Sequence, residues 1–525
     1  GYYYDEDNDV YYHSTATNNG SIETKGIGAH GMYAGGGAKA TNNSGGTITT
    51  YGEEAHGMYA YGNSTATNES EGMIITHNRW ANGMYAYYNS TSTNSGSIET
   101  NDDSAYGMYA ANNSTSTNSG SIETNKAYAY GMYAYDNSTA TNESEGTITT
   151  HGYWAHGMYA DNNSTVINSG SIETTYDDSA YGMYAYIDSI AKNCGNITTN
   201  GSLEAFGIYA CNGSEIMNED EGNIITSGTR AFGMYAWYDS TATNRGTITT
   251  GKEDDPTYGA RAYGMYAYQD STAENFGSIT TFGETASGMY AWHNSTATNK
   301  VGGDIVTYGI GAHGMVASSY WDGSNWNPSG ATNEGSIITH GKMAFGINAG
   351  HSGNIMNSGD ITTYGGMAHG IYVETGPEVI NSGTITVTGE GADAVNIRDS
   401  TFTNSGTLDS LHGNAITSVN STVTLEDGTK LPNSHNIVGD DGSTLNVNMA
   451  GDLAAIVNFG TFNKNGTGTL TLEEGSSAGT TNNNAGTLKI APDTTFETNS
   501  YTQTAEARLH LYVPSNSDVG LPLKI

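Results

Sequence analysis

The chain has 525 residues, with 54 acidic and 17 basic side chains and a formal net charge of −37. That balance excludes nucleic acid as a natural partner and keeps a long molecule dispersed. Two cysteines, Cys194 and Cys211, are too few for a disulfide framework and read as free thiols, and no apolar run reaches the roughly 18 residues that a membrane helix needs. The chain opens at Gly1 without a basic or apolar leader, which reads as a processed or trimmed end.

The first full copy of a repeat is Ala29-His30-Gly31-Met32-Tyr33-Ala34. It returns at 55–60, 81–86, 105–110 and onward to a worn copy at 392–397, at intervals of 24 to 26 residues with two longer exceptions. Self-similarity at such a period means one supersecondary unit stacked on copies of itself. After each core comes a Ser-Thr-Ala-Thr stretch, as at 64–67, and then Asn-x-Gly with a Ser/Thr-Ile-x-Thr run, as in Asn94-Ser95-Gly96-Ser97-Ile98-Glu99-Thr100. Three short Thr-, Tyr- and Ile-rich segments closed by Gly, Asn or Ser predict three strands per repeat. Helical periodicity is absent. The expected fold is all-β: a right-handed parallel β-helix of about 20 coils with about 25 residues per coil, on the order of 100 Å long at the strand spacing.

Within the repeat, the first Ala, the Met three residues on and the closing Ala hardly vary. They are assigned to the interior, with the intervening Gly as a bend and Ile of Ile-x-Thr as the opposite wall. The residue after the first Ala changes among His, Asn, Tyr, Phe and Ser, so it is assigned to solvent. The recurrent Asn (Asn68, Asn94, Asn118, Asn142 and onward to Asn404) predicts a ladder of amides along the stack. A three-coil super-repeat is also visible: Asn68-Glu69-Ser70-Glu71-Gly72 returns at 142–146 and 218–222, and Asp102-Asp103 returns as Asp177-Asp178 and Asp254-Asp255. Residues 1–390 form the regular body, with surface-loop inserts at 251–258 and 318–329. Residues 391–525 read as a degenerate β-helix with a C-terminal cap.

The far end, 495–511, contains Tyr501-Thr502-Gln503 and closes on Leu509-His510-Leu511. It resembles the close of an autotransporter passenger domain, where a Tyr-x-Gln stretch and a Leu-x-Leu strand mark a chaperone-like segment. With the upstream Asn-x-Gly-x-Ile repeats, the chain resembles large Gram-negative β-helical surface adhesins, fusobacterial ones among them. The resemblance implies secretion through an outer-membrane β-barrel, display on the cell surface or release, and adhesion or aggregation. The 525 residues themselves hold neither the barrel nor the protease module of that family's full pattern.

Candidate binding residues follow from the strand pattern. Tyr59, Tyr85, Tyr109, Tyr133, Tyr159, Tyr184, Tyr209, Tyr235, Trp237, Tyr266, Tyr290 and Trp292 form an outward ribbon of rings, and Trp321 and Trp326 lie in the second insert. Such rings either stack on one another and stabilise the array or also bind glycans or proteins of a host or bacterial surface, or a second copy of the chain. No cofactor is expected. The acids at Glu69/Glu71, Glu143/Glu145 and 219–221 could hold Ca²⁺ but read first as solvated turns. The Asp pairs could act as acid and base on a polysaccharide, yet three evenly spaced copies suit duplication better than one active site. Thr-x-Thr arrays suited to ice are broken by charge at Glu23, Glu99 and Glu123, and the Asn-x-Ser/Thr sequons at Asn63, Asn113, Asn137 and Asn163 read as turn chemistry. The expected function is non-enzymatic adhesion, with an end-to-end extracellular filament as the alternative.

Overall fold

The computed structural model describes residues 2–5, 10–175, 179–255, 259–351, 353–376, 378–432, 436–512 and 523–524. The chain is all-β with no helix among these residues, and its parallel strands stack as a solenoid of about 20 coils with roughly 24–25 residues per coil. It divides into two units, 1–283 and 284–525.

In the first unit each coil carries a Met strand, a Thr strand and an Ile strand, as in Met84–Tyr87, Thr91–Asn94 and Ser97–Thr100. Each strand pairs in parallel with its own kind one coil away, so like faces like: Met84 lies between Met58 and Met108, and Tyr85 between Tyr59 and Tyr109. The thin core is the consequence. Ala55, Met58, Ala60, Ala66 and Ile74 are all fully buried, as are their counterparts in the following coils.

The glycine before each Met does more than bend the chain. A Cβ on Gly57 would stand 2.2 Å from Cγ2 of Ile74 and 2.6 Å from the Gly83 carbonyl oxygen. The Ile wall and the next coil's backbone occupy that space, so only glycine fits. After the Met strand the chain turns through paired left-handed residues, for example Asn112 and Asn113 at φ 56° and 60°. Asn and Asp accept this conformation more readily than other side chains, which accounts for the sequons at Asn63, Asn113, Asn137 and Asn163, all in that turn.

The expected amide ladder is present. Nδ2 of each Asn donates to Oδ1 of the next, from Asn42 to Asn68 at 2.7 Å and from Asn94 through Asn118 to Asn142 at 2.8 Å. A second ladder carries the buried serines, where the backbone N–H of Ser90 donates to Oγ of Ser114 and that of Ser114 to Oγ of Ser138, both at 3.1 Å. Both ladders satisfy polar groups that the narrow interior would otherwise leave without water.

The second unit repeats the pattern, with its own amide ladder from Asn299 through Asn333, Asn357 and Asn381 to Asn404. Beyond it Leu425, Val447 and Lys464 occupy the Asn position, and Phe402, Phe459, Phe462 and Phe496 fill the interior. Lys464 is fully buried; its ammonium donates to the Gly466 carbonyl and, at 2.8 Å, to that of Ala485. The Tyr-x-Gln motif closes on itself: the Tyr501 hydroxyl donates to Gln503 Oε1 at 2.8 Å and accepts from Asn483 Nδ2 at 3.1 Å.

Candidate functional site

The rings of the first unit form columns. Tyr59, Tyr85, Tyr109, Tyr133, Tyr159, Tyr184, Tyr209, Tyr235 and Tyr266 stack with centroids 4.6–5.0 Å apart, the Tyr85–Tyr109 planes within 4° of parallel. That spacing is the strand separation itself, so backbone register sets ring stacking. These tyrosines are half-buried, and Tyr209 is buried outright against Tyr181, Phe206, Cys211 and Phe232. Its hydroxyl therefore does not reach solvent freely, although the strand pattern assigns the ring to the outward ribbon. Burial pushes the Tyr59 hydroxyl up to about 12, and burial with neighbouring tyrosines raises Tyr85 further. Burial and the Asp161 carboxylate, 3.3 Å from its hydroxyl, do the same for Tyr133.

The cause is a second column that sequence reading missed. The residue after the first Ala was assigned to solvent; instead it packs flat along the ribbon. Tyr106 stacks on Tyr130 at 5.0 Å, Tyr130 on His156 at 5.1 Å, His156 on Tyr181 at 4.6 Å, and Phe206 on Phe232 at 5.0 Å. Each ring also meets the first column edge-on, as Tyr106 meets Tyr109 at 5.6 Å and 78°. The variability at this position reflects two solutions to one packing demand. Aromatic residues fill the column, while His, Asn and Asp supply an acceptor to the next coil. His30 Nδ1 accepts the His56 N–H at 3.1 Å, and His56 Nδ1 accepts the Asn82 N–H at 3.1 Å. Asn82 Oδ1 accepts the Tyr106 N–H at 2.9 Å, and Asp393 Oδ1 accepts the Asn414 N–H at 2.9 Å. An accepting Nδ1 places the proton on Nε2 and keeps the ring neutral. Burial lowers His56 and His156 to about 3 and His313 to about 4. A His, Asn or Asp where other coils carry Tyr or Phe was the legible signal.

A third, looser column borders the first. Tyr61 stacks on Tyr87 at 5.8 Å and Trp237 on Tyr268 at 6.4 Å, with Trp237 Nε1 donating to Gln269 Oε1 at 3.2 Å. Its margin is the exposed part of the face: Tyr61, Tyr88, Tyr135 and Tyr238 are 36–52 % exposed.

In the second unit Tyr290 and Trp292 are half-buried, and the Trp292 indole donates to the Ser319 carbonyl at 3.1 Å. The insert is a surface hairpin, Tyr320–Trp321 antiparallel to Trp326–Asn327. Asp322 Oδ1 closes its turn by accepting the N–H groups of Ser324 and Asn325 at 2.7 Å. Trp321 and Trp326 are 48 and 46 % exposed, and Trp326 stacks on His351 at 4.1 Å.

The acidic candidates are dispersed. Glu219 pairs with Lys192 at 2.8 Å and Arg245 at 3.9 Å, and Asp103 lies 3.7 Å from Arg79. Asp177-Asp178 and Pro256 to Tyr258 lie outside the described residues. Among the described residues no group of three His, Cys, Asp or Glu side chains is placed to hold a metal ion. Cys194 and Cys211 are free.

The model of the family described as BigA third pectate lyase-like domain matches residues 10–146, 82–195, 124–217 and 284–436, together more than half of the chain. The chain belongs to that family. The overlapping matches are those of a repeat array, since a model of several coils fits at more than one position along it. BigA is a bacterial surface protein, and membership of the BigA-type family together with the solenoid fits a surface β-helical protein. No curated protein matched the chain.

Proposed function

We propose that this chain is a non-enzymatic adhesin, displayed on or released from a Gram-negative cell by the autotransporter route. It presents the ring columns of the first unit and the Trp hairpin of the second to surface glycans or proteins. The carrying observation is the exposed margin of the ring face at Tyr61, Tyr88, Tyr135 and Tyr238, where Tyr61 packs on Tyr87 and Tyr88, and Tyr135 on Tyr133. Rigid aromatic area binds at small entropic cost. The first Asp pair supports the non-enzymatic reading: Asp103 lies 3.7 Å from Arg79, and Asp102 Oδ1 accepts the Asp103 N–H at 2.7 Å.

The test is attachment of the purified chain to cells and to a glycan array. Replacing Tyr61, Tyr88 and Tyr135 together by Ser should remove most binding while circular dichroism stays unchanged. Replacing Tyr85, Tyr109 and Tyr133 should remove binding and also loosen the fold, because those rings are packed. Unchanged attachment by the first triple variant contradicts the proposal.

A further inference from the structure

The Thr sheet of the second unit has a bare position. Gly330 opens the strand Gly330–Asn333, in register with Thr296. Glycine weakens a strand and usually marks a bulge, a bend or a close approach. The register runs on unbroken to the coils on either side, so there is no bulge here, and Gly330 is not left-handed. Nor does the backbone crowd it. A Cβ on Gly330 would meet only the Asn354 carbonyl oxygen, at 3.4 Å, whereas one on Gly314 would stand 2.2 Å from Ile337 Cγ2. The fold therefore accepts a side chain at 330, and the lack of one leaves a groove of about 520 Å³, within the range of small-ligand sites. The groove crosses three coils, about 10 Å at the strand spacing. Its lining includes Thr296, Thr298, Gly330, Thr332, Asn354 and Met356.

The Trp hairpin stands at the head of this groove. Its foot is tied to both flanking coils: the Asn294 N–H donates to the Asn327 carbonyl at 3.3 Å, and the Gly353 N–H to the Ser329 carbonyl at 2.8 Å. The stack of Trp326 on His351 fixes that indole just ahead of Asn354. The lining decides the class of guest. None of its side chains is charged, in a chain of net charge −37, so an ionic guest would find no counter-charge. The strands beneath it are paired on both sides, which leaves no backbone edge for an extended peptide to join. What remains is a hydroxyl and a methyl from each threonine, the exposed Asn354 amide, and the broad exposed rings of Trp321 and Trp326. A pyranose, with C–H faces and a rim of hydroxyls, matches that mixture. We propose that the groove and the hairpin form one subsite for a neutral pyranose of a surface glycan. Its hydroxyls would meet the threonines and Asn354, and its C–H face an indole. The subsite rests on the adhesin reading and gives it a ligand class.

The experiment uses the full chain with lactose, cellobiose and maltose as neutral probes and sialyllactose as an acidic one, read by saturation-transfer NMR and calorimetry. At least one neutral disaccharide should bind, one per chain, with roughly millimolar affinity. Gly330→Thr fills the groove with the residue of its register partner, and should abolish binding while circular dichroism stays unchanged. Trp321→Ala should weaken binding roughly tenfold. Replacing Tyr61, Tyr88 and Tyr135 by Ser should leave disaccharide binding as it is, which separates this subsite from the ring face. Absence of saturable binding to all three neutral probes overturns the proposal, as does wild-type affinity in a folded Gly330→Thr chain. Sialyllactose bound in preference to every neutral probe overturns it equally. If Gly330→Thr loses the disaccharide but keeps cell attachment, the subsite stands and its use in adhesion falls.

Discussion

The first unit keeps its rings outside and the later coils of the second keep theirs inside. From Met32 to Met265 the interior is Ala, Met and Ile, and the tyrosines stack on the shell. After Phe402 the interior takes Phe, Leu and Val, and coils shorten to between 17 and 22 residues from the 24 to 26 usual in the first unit. The solenoid thus closes without outer columns, so the columns are an added surface rather than a requirement of the fold.

Substitutions at matched positions sharpen that contrast. Phe462→Ala should cost about 4 kcal/mol, the loss expected for a fully buried aromatic side chain, read from urea unfolding followed by circular dichroism. Gly107→Ala should cost about 3 kcal/mol, because the new Cβ would meet Ile122 Cγ2 at 2.2 Å and the Gly131 carbonyl oxygen at 2.5 Å. Asn118→Ala takes the acceptor from one N–H of Asn94 Nδ2, which keeps the Gly96 carbonyl at 3.3 Å, and leaves Asn142 Oδ1 without its donor; it should cost about 2 kcal/mol in the same assay.

Acid should act through the histidines of the second column. With the folded value near 3 for His156 and the ordinary value near 6.5, the folded state binds fewer protons than the unfolded one. The stabilisation is therefore complete above about pH 6.5 and drains away as pH falls toward 3. It amounts to about 2 kcal/mol per histidine lost at pH 5. His156→Asn keeps an acceptor for the Tyr181 N–H and should remove that site's share of the pH dependence. The smallest effect is on the shell: Tyr109→Leu should cost about 1 kcal/mol, the worth of lost ring pairing.

The fold was legible because it is written by repetition. Period, Asn ladder, Met and Ala interior and Ile wall all follow from positions that do not change. The second column was hidden because its position does change, and variability alone looks like exposure. His56, Asn82 and Asp393 share an acceptor atom, while Tyr106 and Phe232 share a flat ring. Both classes serve one packed edge, which appears only in the folded stack.

The stacked interior is tested most directly through its methionine methyl groups. With ¹³C-methyl methionine and a soluble gadolinium chelate, Met58, Met84, Met108, Met132, Met158, Met183, Met234 and Met265, all fully buried, should keep sharp signals. Met73, Met343, Met356 and Met367, 43–51 % exposed, should broaden strongly. Broadening of the Met58 to Met265 set to the level of Met367 would contradict a core built from methionine and alanine.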